Sequence, residues 1–279
     1  MEKALIFELI KAIALLTTFC FVSSIPTIFL NRGGANGFPE NTIASFTEAL
    51  RVHATIELDV RESKDGHYVI IHDATLERTT NGSGNVSDYT LHELKQLDAG
   101  SWYNSIHNNL RIPTLVEVFE LQGKYNMISL MIEIKAVKDY DHFIKFVHHH
   151  MRKHTKFLLY FNKKFDPQFP IIRTVAAKHN VRFILKPECL KNTDFESCVS
   201  NEVVNNPHFA AEIWNINYAL ITDDVINIMK KYSKESFVNL VGMDVNMINE
   251  TLWKDIVTGV DFICVDDPAY VQKNLKSQF

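Results

Sequence analysis

The chain has 279 residues, 46% of them hydrophobic and 22% charged, and its 29 Lys and Arg against 33 Asp and Glu give a net charge of −4. This balance is typical of a globular protein, and the length fits one large domain, such as an α/β barrel of about 250 residues. The lack of a basic excess argues against nucleic acid as a partner. The four cysteines include no Cys-x-x-Cys pair, which disfavours a zinc or thioredoxin-type site. Cys189 and Cys198 are close enough in sequence to form a disulfide in an oxidising compartment, and free thiols are the alternative.

Residues 1–24 form an apolar segment that contains an uninterrupted run from Ala12 to Val22. Three interpretations fit this run. It has the length of a signal-peptide core and is followed by small residues. It approaches the roughly 20 apolar residues of a membrane anchor. It also fits an amphipathic helix on a soluble domain. We expect a signal or membrane anchor, and therefore a membrane-associated or secretory-pathway protein whose folded domain spans residues 25–279.

The first elements of the folded domain end in polar residues. A strand over Thr27 to Leu30 is followed by Asn31-Arg32-Gly33-Gly34, where glycines allow the backbone to approach a ligand. A helix to about Val52 follows, with Asn41 or Thr42 as its N-cap. A second strand covers Thr55 to Val60, and a Lys-Asp-Gly turn leads to a short strand over Tyr68 to Ile71. His72 and Asp73 stand at the end of this short strand.

Residues 74–112 do not continue the pattern. They contain a Gly/Ser/Asn loop, a short helix and an aromatic pair at Trp102 and Tyr103, with no strong strand. We interpret this stretch as an insertion that lies over one rim of the sheet.

From Pro113 onwards, predicted helices and strands alternate. The predicted strands cover residues 127–134, 157–161, 181–185, 209–216, 237–245 and 262–265, with helices between most of them. Such alternation indicates a parallel sheet, and about eight strands favour closure into a barrel. An open doubly wound sheet is the alternative. No Gly-x-Gly-x-x-Gly follows a strand, which counts against a dinucleotide-binding fold.

The second strand carries two acidic residues, Glu57 and Asp59, in the sequence Ile-Glu-Leu-Asp-Val. Residues two apart on a strand point to the same face, so the two carboxylates lie side by side. Adjacent carboxylates repel each other unless a proton or a cation lies between them. Oxygen ligands of this kind suit Ca²⁺ or Mg²⁺ better than zinc. Two solvated acids on an edge strand are the alternative.

Further polar residues fall where other strands end, at Asn31, Arg32, His72, Glu133 and Lys135. In a barrel this rim carries the active site. Glu133 is a candidate third oxygen ligand, and Lys135 and Arg32 can hold an anionic group. A cation site with an Arg and a Lys around it predicts a phosphate or phosphodiester site. His72 is the candidate for proton transfer.

The motifs together resemble the glycerophosphodiester phosphodiesterases over roughly residues 27–270, least clearly between about 186 and 215. Within that family the chain is most similar to the membrane-associated animal type, which acts on glycerophosphoinositol and lysophospholipids. The matching motifs are Arg32-Gly33-Gly34, Pro39-Glu40-Asn41-Thr42, Glu57-Leu58-Asp59, Lys64-Asp65-Gly66, His72-Asp73, Arg78-Thr79-Thr80, Gly82-Ser83-Gly84, Ile112-Pro113-Thr114-Leu115, Glu133-Ile134-Lys135, Val245-Asn246, Gly259-Val260-Asp261 and Asp266-Asp267-Pro268.

The resemblance implies a (β/α)₈ TIM barrel of the phospholipase-C-like phosphodiesterase type, with a small subdomain inserted at about residues 74–112. It implies one Mg²⁺ or Ca²⁺ held by Glu57, Asp59 and Glu133, and His72 as one of two acid/base residues. It also implies substrate contacts from Arg32, Lys135 and Asn246. The reaction cleaves a glycerophosphodiester, or a lysophospholipid at a membrane surface, to glycerol phosphate or lysophosphatidate and an alcohol.

Three positions depart from the family pattern. Asn31 stands where the family has a catalytic His, and an amide cannot carry a proton at neutral pH. Met243 replaces an expected Trp, and the chain before Ile56 is one residue short. Asn31 leaves a second hypothesis open, namely a catalytically impaired homologue that binds metal and phosphodiester without efficient turnover. A lipid phosphodiesterase that forms a cyclic phosphate without hydrolysing it is a third.

Overall fold

The structure is a computed structural model that describes residues 26–34, 37–125, 129–150, 156–161, 169–179, 182–185, 196–197, 200, 209–214, 223–232, 236–242, 253, 256 and 259–267. The apolar segment 1–24, the Cys189 and Cys198 pair, Met243 and Asn246 lie outside the described residues. Within the described ranges, no helix combines the length and the apolar character needed to cross a membrane.

Strands and helices alternate as the sequence predicts. The strands are β1 (Thr27–Leu30), β2 (Thr55–Glu62), β3 (Tyr68–Ile70), β4 (Ser129–Ala136), β5 (Lys156–Phe161), β6 (Arg182–Leu185), β7 (Phe209–Trp214), β8 (Ser236–Asn239) and β9 (Phe262–Val265). The α-helices are α1 (Ile43–Arg51), α2 (Leu91–Leu94), α3 (Leu115–Tyr125), α4 (Tyr140–His150), α5 (Phe169–His179) and α6 (Asp223–Tyr232).

The strands form one closed barrel. Their order is β1-β9-β8-β7-β6-β5-β4-β2-β3, and β1 also pairs with β2, which closes the ring. The closing pairs are parallel and join Phe29 to Thr55 and Leu30 to Ile56. Every pairing in the ring is parallel, whereas β3 lies antiparallel on β2 outside it. The predicted (β/α)₈ barrel is therefore confirmed, and the open doubly wound alternative is wrong.

Two hydrophobic clusters lie on opposite sides of the barrel wall. The outer cluster joins β2 residues such as Ile56 and Leu58 to the surrounding helices. Among the described residues, the inner cluster contains Phe29, Met131, Phe237 and other strand residues, and none of these belongs to a helix. Alternate residues of a barrel strand face inward, so Glu133, two residues after Met131 on β4, faces the same side as Met131. The apolar interior thus ends where the polar residues of the rim begin.

Two strands show features that the sequence pattern does not specify and that affect the rim. The short strand predicted over Tyr68 to Ile71 is present as β3, which forms the second arm of a hairpin outside the ring, and Ile70 lies opposite Val60 of β2. The hairpin returns the chain to the level of Asp59, whose carbonyl accepts a hydrogen bond from Ile71 N at 3.0 Å. This return brings His72 to the rim. The strand predicted over 237–245 already ends at Asn239, before a turn in which Gly242 has φ of 76°.

The stretch predicted as an insertion has a small core of its own. Its buried residues are Val69, Ile71, Leu76, Val86, Leu94, Ala99 and Ile112, and they form a cluster separate from both barrel clusters. Tyr89, Leu91 and Leu97 pack against this cluster. The cluster begins on β3, so the insertion is packed next to the strand that delivers His72.

The turn after β1 depends on left-handed backbone. Arg32, Gly33 and Gly34 have φ of 50°, 81° and 91°, a conformation that glycine adopts most readily. The chain then enters α1, which Thr42 caps. Its side chain accepts from Ser45 N, and Ser45 Oγ accepts from Thr42 N, both at 3.2 Å. The sharp turn and the cap together place the start of α1 directly behind Arg32.

We expect Gly33→Ala to destabilise the fold more than Gly66→Ala. Both glycines have positive φ, so both substitutions strain the backbone. A Cβ at Gly33 would also lie 2.5 Å from Ser45 Oγ and 2.7 Å from Phe46 Cδ1, whereas at Gly66 the nearest atom is 3.9 Å away. Overpacking of this kind costs about 1–3 kcal/mol. Urea unfolding of both variants measures the difference, and equal losses would contradict the close approach of the turn to α1.

Candidate active site

Three carboxylates from two neighbouring strands meet at the rim. Glu57 and Asp59 belong to β2, Glu133 belongs to β4, and Asp59 and Glu133 are cross-strand partners. One oxygen of each carboxylate lies within 4.8 Å of the others. Glu57 and Asp59 are 3% and 1% exposed, so these acids are not solvated side chains on an edge strand. Three carboxylate oxygens this close together are a candidate ligand set for a hard divalent cation.

The electrostatics of the three acids fit such a cation. Burial, with repulsion from Asp59 and Glu133, raises the pKa of Glu57 well above its ordinary value. Burial and the charge of Asp59 likewise raise the pKa of Glu133 to about 7. Asp59 Oδ1 is buried and accepts no hydrogen bond of good geometry, although the Lys135 ammonium lies 3.2 Å away. A divalent cation would add positive charge where repulsion among the three carboxylates raises the pKa values of Glu57 and Glu133.

Two basic side chains flank the cluster. Lys135 Nζ lies 2.5 Å from Glu133 Oε1 and 3.2 Å from Asp59 Oδ1. Burial by itself lowers the pKa of Lys135, but the charges of Asp59 and Glu133 outweigh it and raise the pKa, so the ammonium stays charged. On the other side, Arg32 Nε lies 3.4 Å from Asp59 Oδ2, and its backbone N–H donates to Glu57 Oε2 at 2.7 Å. Positive groups therefore stand beside the acidic cluster, an arrangement that suits a phosphate ligand.

Asn41 fixes Asp59 from the side of α1. Its Nδ2 donates to Asp59 Oδ2 at 2.7 Å, and its Oδ1 accepts from Asp59 N at 3.3 Å. Asn41 is buried and has φ of 55°, a conformation that Asn tolerates better than most residues. The predicted helix-cap role therefore belongs to Thr42. Asn41 occupies one oxygen of Asp59 and leaves Oδ1 facing the cluster.

His72 forms a pair with Asp73. Its Nδ1 lies 2.6 Å from Asp73 Oδ1. Hydrogen bonds from Arg78 hold the pKa of Asp73 well below its usual range, so Asp73 is ionised and can only accept. The proton of the neutral imidazole is therefore on Nδ1, and Nε2 is its basic atom. Burial lowers the pKa of His72, although Asp59 acts in the opposite direction. Neutral imidazole, the form of a proton acceptor, is favoured.

Behind these side chains, Glu40 joins two arginines. Arg32 Nη1 donates to Glu40 Oε1 at 3.0 Å. Arg78 donates to both Glu40 oxygens at 2.8 Å and to Asp73 Oδ2 from Nε at 2.6 Å. Charge-assisted, two-pronged contacts of this kind are strong and directional.

Asn31 lies at the end of β1 next to Asp266, which follows β9. Asn31 Nδ2 donates to Asp266 Oδ1 at 2.9 Å, and Gly242 N donates to Asp266 Oδ2 at 2.7 Å. The amide neither releases nor takes up a proton at neutral pH, so it cannot act as an acid or a base. The position therefore has an orienting carboxylate but no acid/base group.

The structure brings six predicted site residues to one rim, namely Asn31, Arg32, Glu57, Asp59, Glu133 and Lys135, and the hairpin adds His72. Asn246 lies outside the described residues. Sequence reasoning assigned no supporting role in the site to Glu40, Asn41, Asp73, Arg78 and Asp266. Each of these residues lies in one of the matching motifs, and those motifs were the available signal. The pairing of Asn31 with Asp266 spans 235 positions and leaves no local sequence signal.

The chain is also similar in sequence to known proteins. The family model described as glycerophosphoryl diester phosphodiesterase matches residues 32–269. A glycerophosphodiester phosphodiesterase of Caldanaerobacter subterraneus is 51% identical over 110 residues, 39% of this chain and 45% of that protein. One of Bacillus subtilis is 41% identical over 119 residues, 39% of this chain and 40% of that protein. The match thus spans under half the length of these relatives.

Solved structures extend the similarity over the barrel. The crystal structure of a glycerophosphodiester phosphodiesterase from Agrobacterium tumefaciens superimposes with a TM-score of 0.72 at 28% identity, and it covers 89% of this chain and 100% of its own. The family model covers most of the chain and includes every acidic residue of the cluster. This chain belongs to the glycerophosphoryl diester phosphodiesterase family.

Proposed function

We propose that the protein is a metal-dependent phosphodiesterase that hydrolyses glycerophosphodiesters to glycerol phosphate and an alcohol. The observation that carries the proposal is the convergence, on one rim, of the acidic cluster, two cationic side chains and the His72–Asp73 pair. A phosphodiester carries one negative charge, which Arg32 and Lys135 neutralise. The buried carboxylates need a cation in addition, and a catalytic cation suits phosphoryl chemistry.

We assign the site residues to steps of the reaction from their positions. Arg32 and Lys135 hold the phosphate oxygens beside the acidic cluster. Glu57, Asp59 and Glu133 would hold a Mg²⁺ or Ca²⁺, which would supply Lewis-acid polarisation of the phosphodiester. His72 accepts the proton of the attacking oxygen at Nε2, because Asp73 holds its Nδ1–H, and the attacking oxygen forms the new bond to phosphorus. The bond from phosphorus to the leaving oxygen breaks, and that oxygen takes a proton from solvent and departs as the alcohol. When water attacks, glycerol phosphate forms directly; when the neighbouring glycerol hydroxyl attacks, a cyclic glycerol phosphate forms first, and a water must then open it to glycerol phosphate.

We extend the proposal to lysophospholipids presented at a membrane surface, and to a protein of the membrane-associated animal type in the secretory pathway. The apolar run from Ala12 to Val22 supports this extension because it has the composition of an export or anchoring segment. The motif pattern of the sequence supports the animal type. Vesicle flotation of the full chain, with and without residues 1–24, tests the membrane part.

A second candidate is a homologue that binds metal and phosphodiester but turns over slowly. Asn31 favours it, because the leaving alcohol then has no histidine at that position to donate its proton. Loss of one general acid or base costs about 10²–10⁴ in rate.

Turnover by the purified full chain separates these candidates. We expect release of glycerol 3-phosphate from glycerophosphocholine or glycerophosphoinositol in Mg²⁺ or Ca²⁺, and loss of release in excess EDTA with recovery on adding metal. Lysophosphatidylcholine in mixed micelles tests the lipid substrate. Product formation that EDTA leaves unchanged would contradict the metal-dependent mechanism. Binding of glycerol 3-phosphate without any turnover would favour the second candidate.

A further inference from the structure

One arginine of the inserted stretch contacts the supports of two different active-site residues. Arg78 forms a fork with both oxygens of Glu40, each at 2.8 Å. It forms a second fork with both oxygens of Asp73, at 2.6 and 3.0 Å. A guanidinium has five donors in a planar arrangement, so one arginine can bind two carboxylates at once, which a lysine ammonium cannot do with the same geometry.

Each carboxylate in turn holds a residue of the site. Glu40 accepts from Arg32 Nη1 at 3.0 Å, and Arg32 reaches Asp59 with its Nε. Asp73 accepts from His72 Nδ1 at 2.6 Å. Both series of contacts start at Arg78; one ends at Arg32 and Asp59, and the other ends at His72.

We propose that Arg78 is a positioning residue that sets Arg32 through Glu40 and His72 through Asp73. This inference rests on the proposed function, because it assigns Arg32 to the phosphate and His72 to proton transfer. It makes the inserted stretch part of the active-site assembly, since Arg78 lies in that stretch while Glu40 precedes α1 and Asp73 follows β3. When Arg78 is in place, the anion-binding and proton-transfer groups are oriented together.

The predicted consequence is a combined effect on both kinetic parameters. Arg78→Ala is expected to raise KM because Glu40 is no longer fixed and cannot orient Arg32. It is expected to lower kcat because Asp73 no longer holds His72 in one orientation. The expected fall in kcat/KM is about 10–100-fold, the loss typical for outer partners of active-site ligands. Arg78→Lys keeps the charge but not the double fork, and it is expected to lose nearly as much.

Arg51→Lys is a matched control. Arg51 also forms a fork, to Glu48 at 2.7 and 2.6 Å, but on the exposed surface of α1 away from the rim. It is expected to leave kcat and KM unchanged. Methylguanidinium in the assay is expected to restore part of the Arg78→Ala activity, because the side chain is 42% exposed and its place is open to solvent. Potassium chloride at equal ionic strength should not.

Double variants test the route of the effect. If Arg78 acts through Asp73 and Glu40, then Asp73→Asn and Glu40→Gln should each cost much less in the Arg78→Ala background than in the wild type. The proposal would be overturned if each substitution lowered kcat/KM by the same factor in the Arg78→Ala background as in the wild type. So would an Arg78→Ala protein with wild-type kcat and KM and only a lower Tm, or an Arg78→Lys protein with full activity.

A readout without turnover keeps this test separate from the proposed function. Nitrogen-15 NMR of His72 reports which ring nitrogen carries the proton, and the wild type is expected to show Nδ1–H whether or not any phosphodiester is hydrolysed. If the wild type is silent in assays, the proposed function has failed. The positioning role of Arg78 still stands if Arg78→Ala shifts the His72 signals towards the other tautomer, and falls if they stay unchanged.

Discussion

Replacement of Asp59 by Asn is expected to abolish both cation binding and turnover. Asp59 lies next to three other charged groups of the site, namely Arg32, Lys135 and its cross-strand partner Glu133. Asn has the same shape and keeps one oxygen, so the fold is retained while the charge is lost. We expect a loss of more than about 100-fold in cation affinity, beyond that caused by outer-shell changes.

Thermal unfolding with and without metal measures this directly. A cation that binds only the folded state at 100 times its Kd stabilises the wild type by about 2.7 kcal/mol, and Asp59→Asn is expected to show no such gain. Glu133→Gln should lose most of the gain as well. Glu120→Gln removes an exposed charge on α3 and serves as the control, and it is expected to be stabilised by metal as much as the wild type is. A normal metal-dependent gain in Asp59→Asn would place the cation elsewhere.

The barrel and the acidic cluster were predictable because their signals are local. Residues two apart on a strand share a face whatever the strand's neighbours are, so Glu57 with Asp59 and Glu133 with Lys135 follow from spacing. Strand–helix alternation gives a parallel sheet by the same kind of argument. What spacing does not give is which strands are neighbours. The pairing of β2 with β4, which places Glu133 beside Asp59, skips β3.

The sequence pattern predicts the strand β3 but not its direction. Its residues are all buried, and burial on both faces makes a short hairpin arm resemble a barrel strand in sequence. Direction is a tertiary property, and only the antiparallel register of Val60 with Ile70 explains how His72 returns to the rim. The roles of Asn41 and Arg78 were out of reach for a related reason. A polar residue in a turn has a local function by default, and its long-range partner is known only once the chain is folded.

Substitutions at His72 and Asn31 are expected to change turnover in opposite directions. His72→Ala should lower kcat by about 10²–10⁴, the usual contribution of a general acid or base. Asn31→His should raise it by a similar factor. Asp266 Oδ1 already accepts from the side chain at position 31, so an imidazole there can donate Nδ1–H to Asp266 as His72 does to Asp73. His92→Ala, at an exposed position on α2, is the control.

The dependence of kcat on pH distinguishes a second acid from a general improvement. With His72 as the base, kcat rises with pH as the imidazole loses its proton. Because the wild type has no imidazole acid at position 31, kcat is not expected to fall again at higher pH. In Asn31→His the new imidazole must be protonated to serve the leaving alcohol, so kcat should decline at higher pH and the profile should become bell-shaped. The opposite result is a wild type that turns over rapidly and an Asn31→His variant that is no faster and whose kcat does not fall at high pH. In that case one histidine suffices for catalysis, and Asn31 belongs to an efficient site. The orienting carboxylate of Asp266 would then serve the amide, by holding it at the rim as a hydrogen-bonding contact for the substrate.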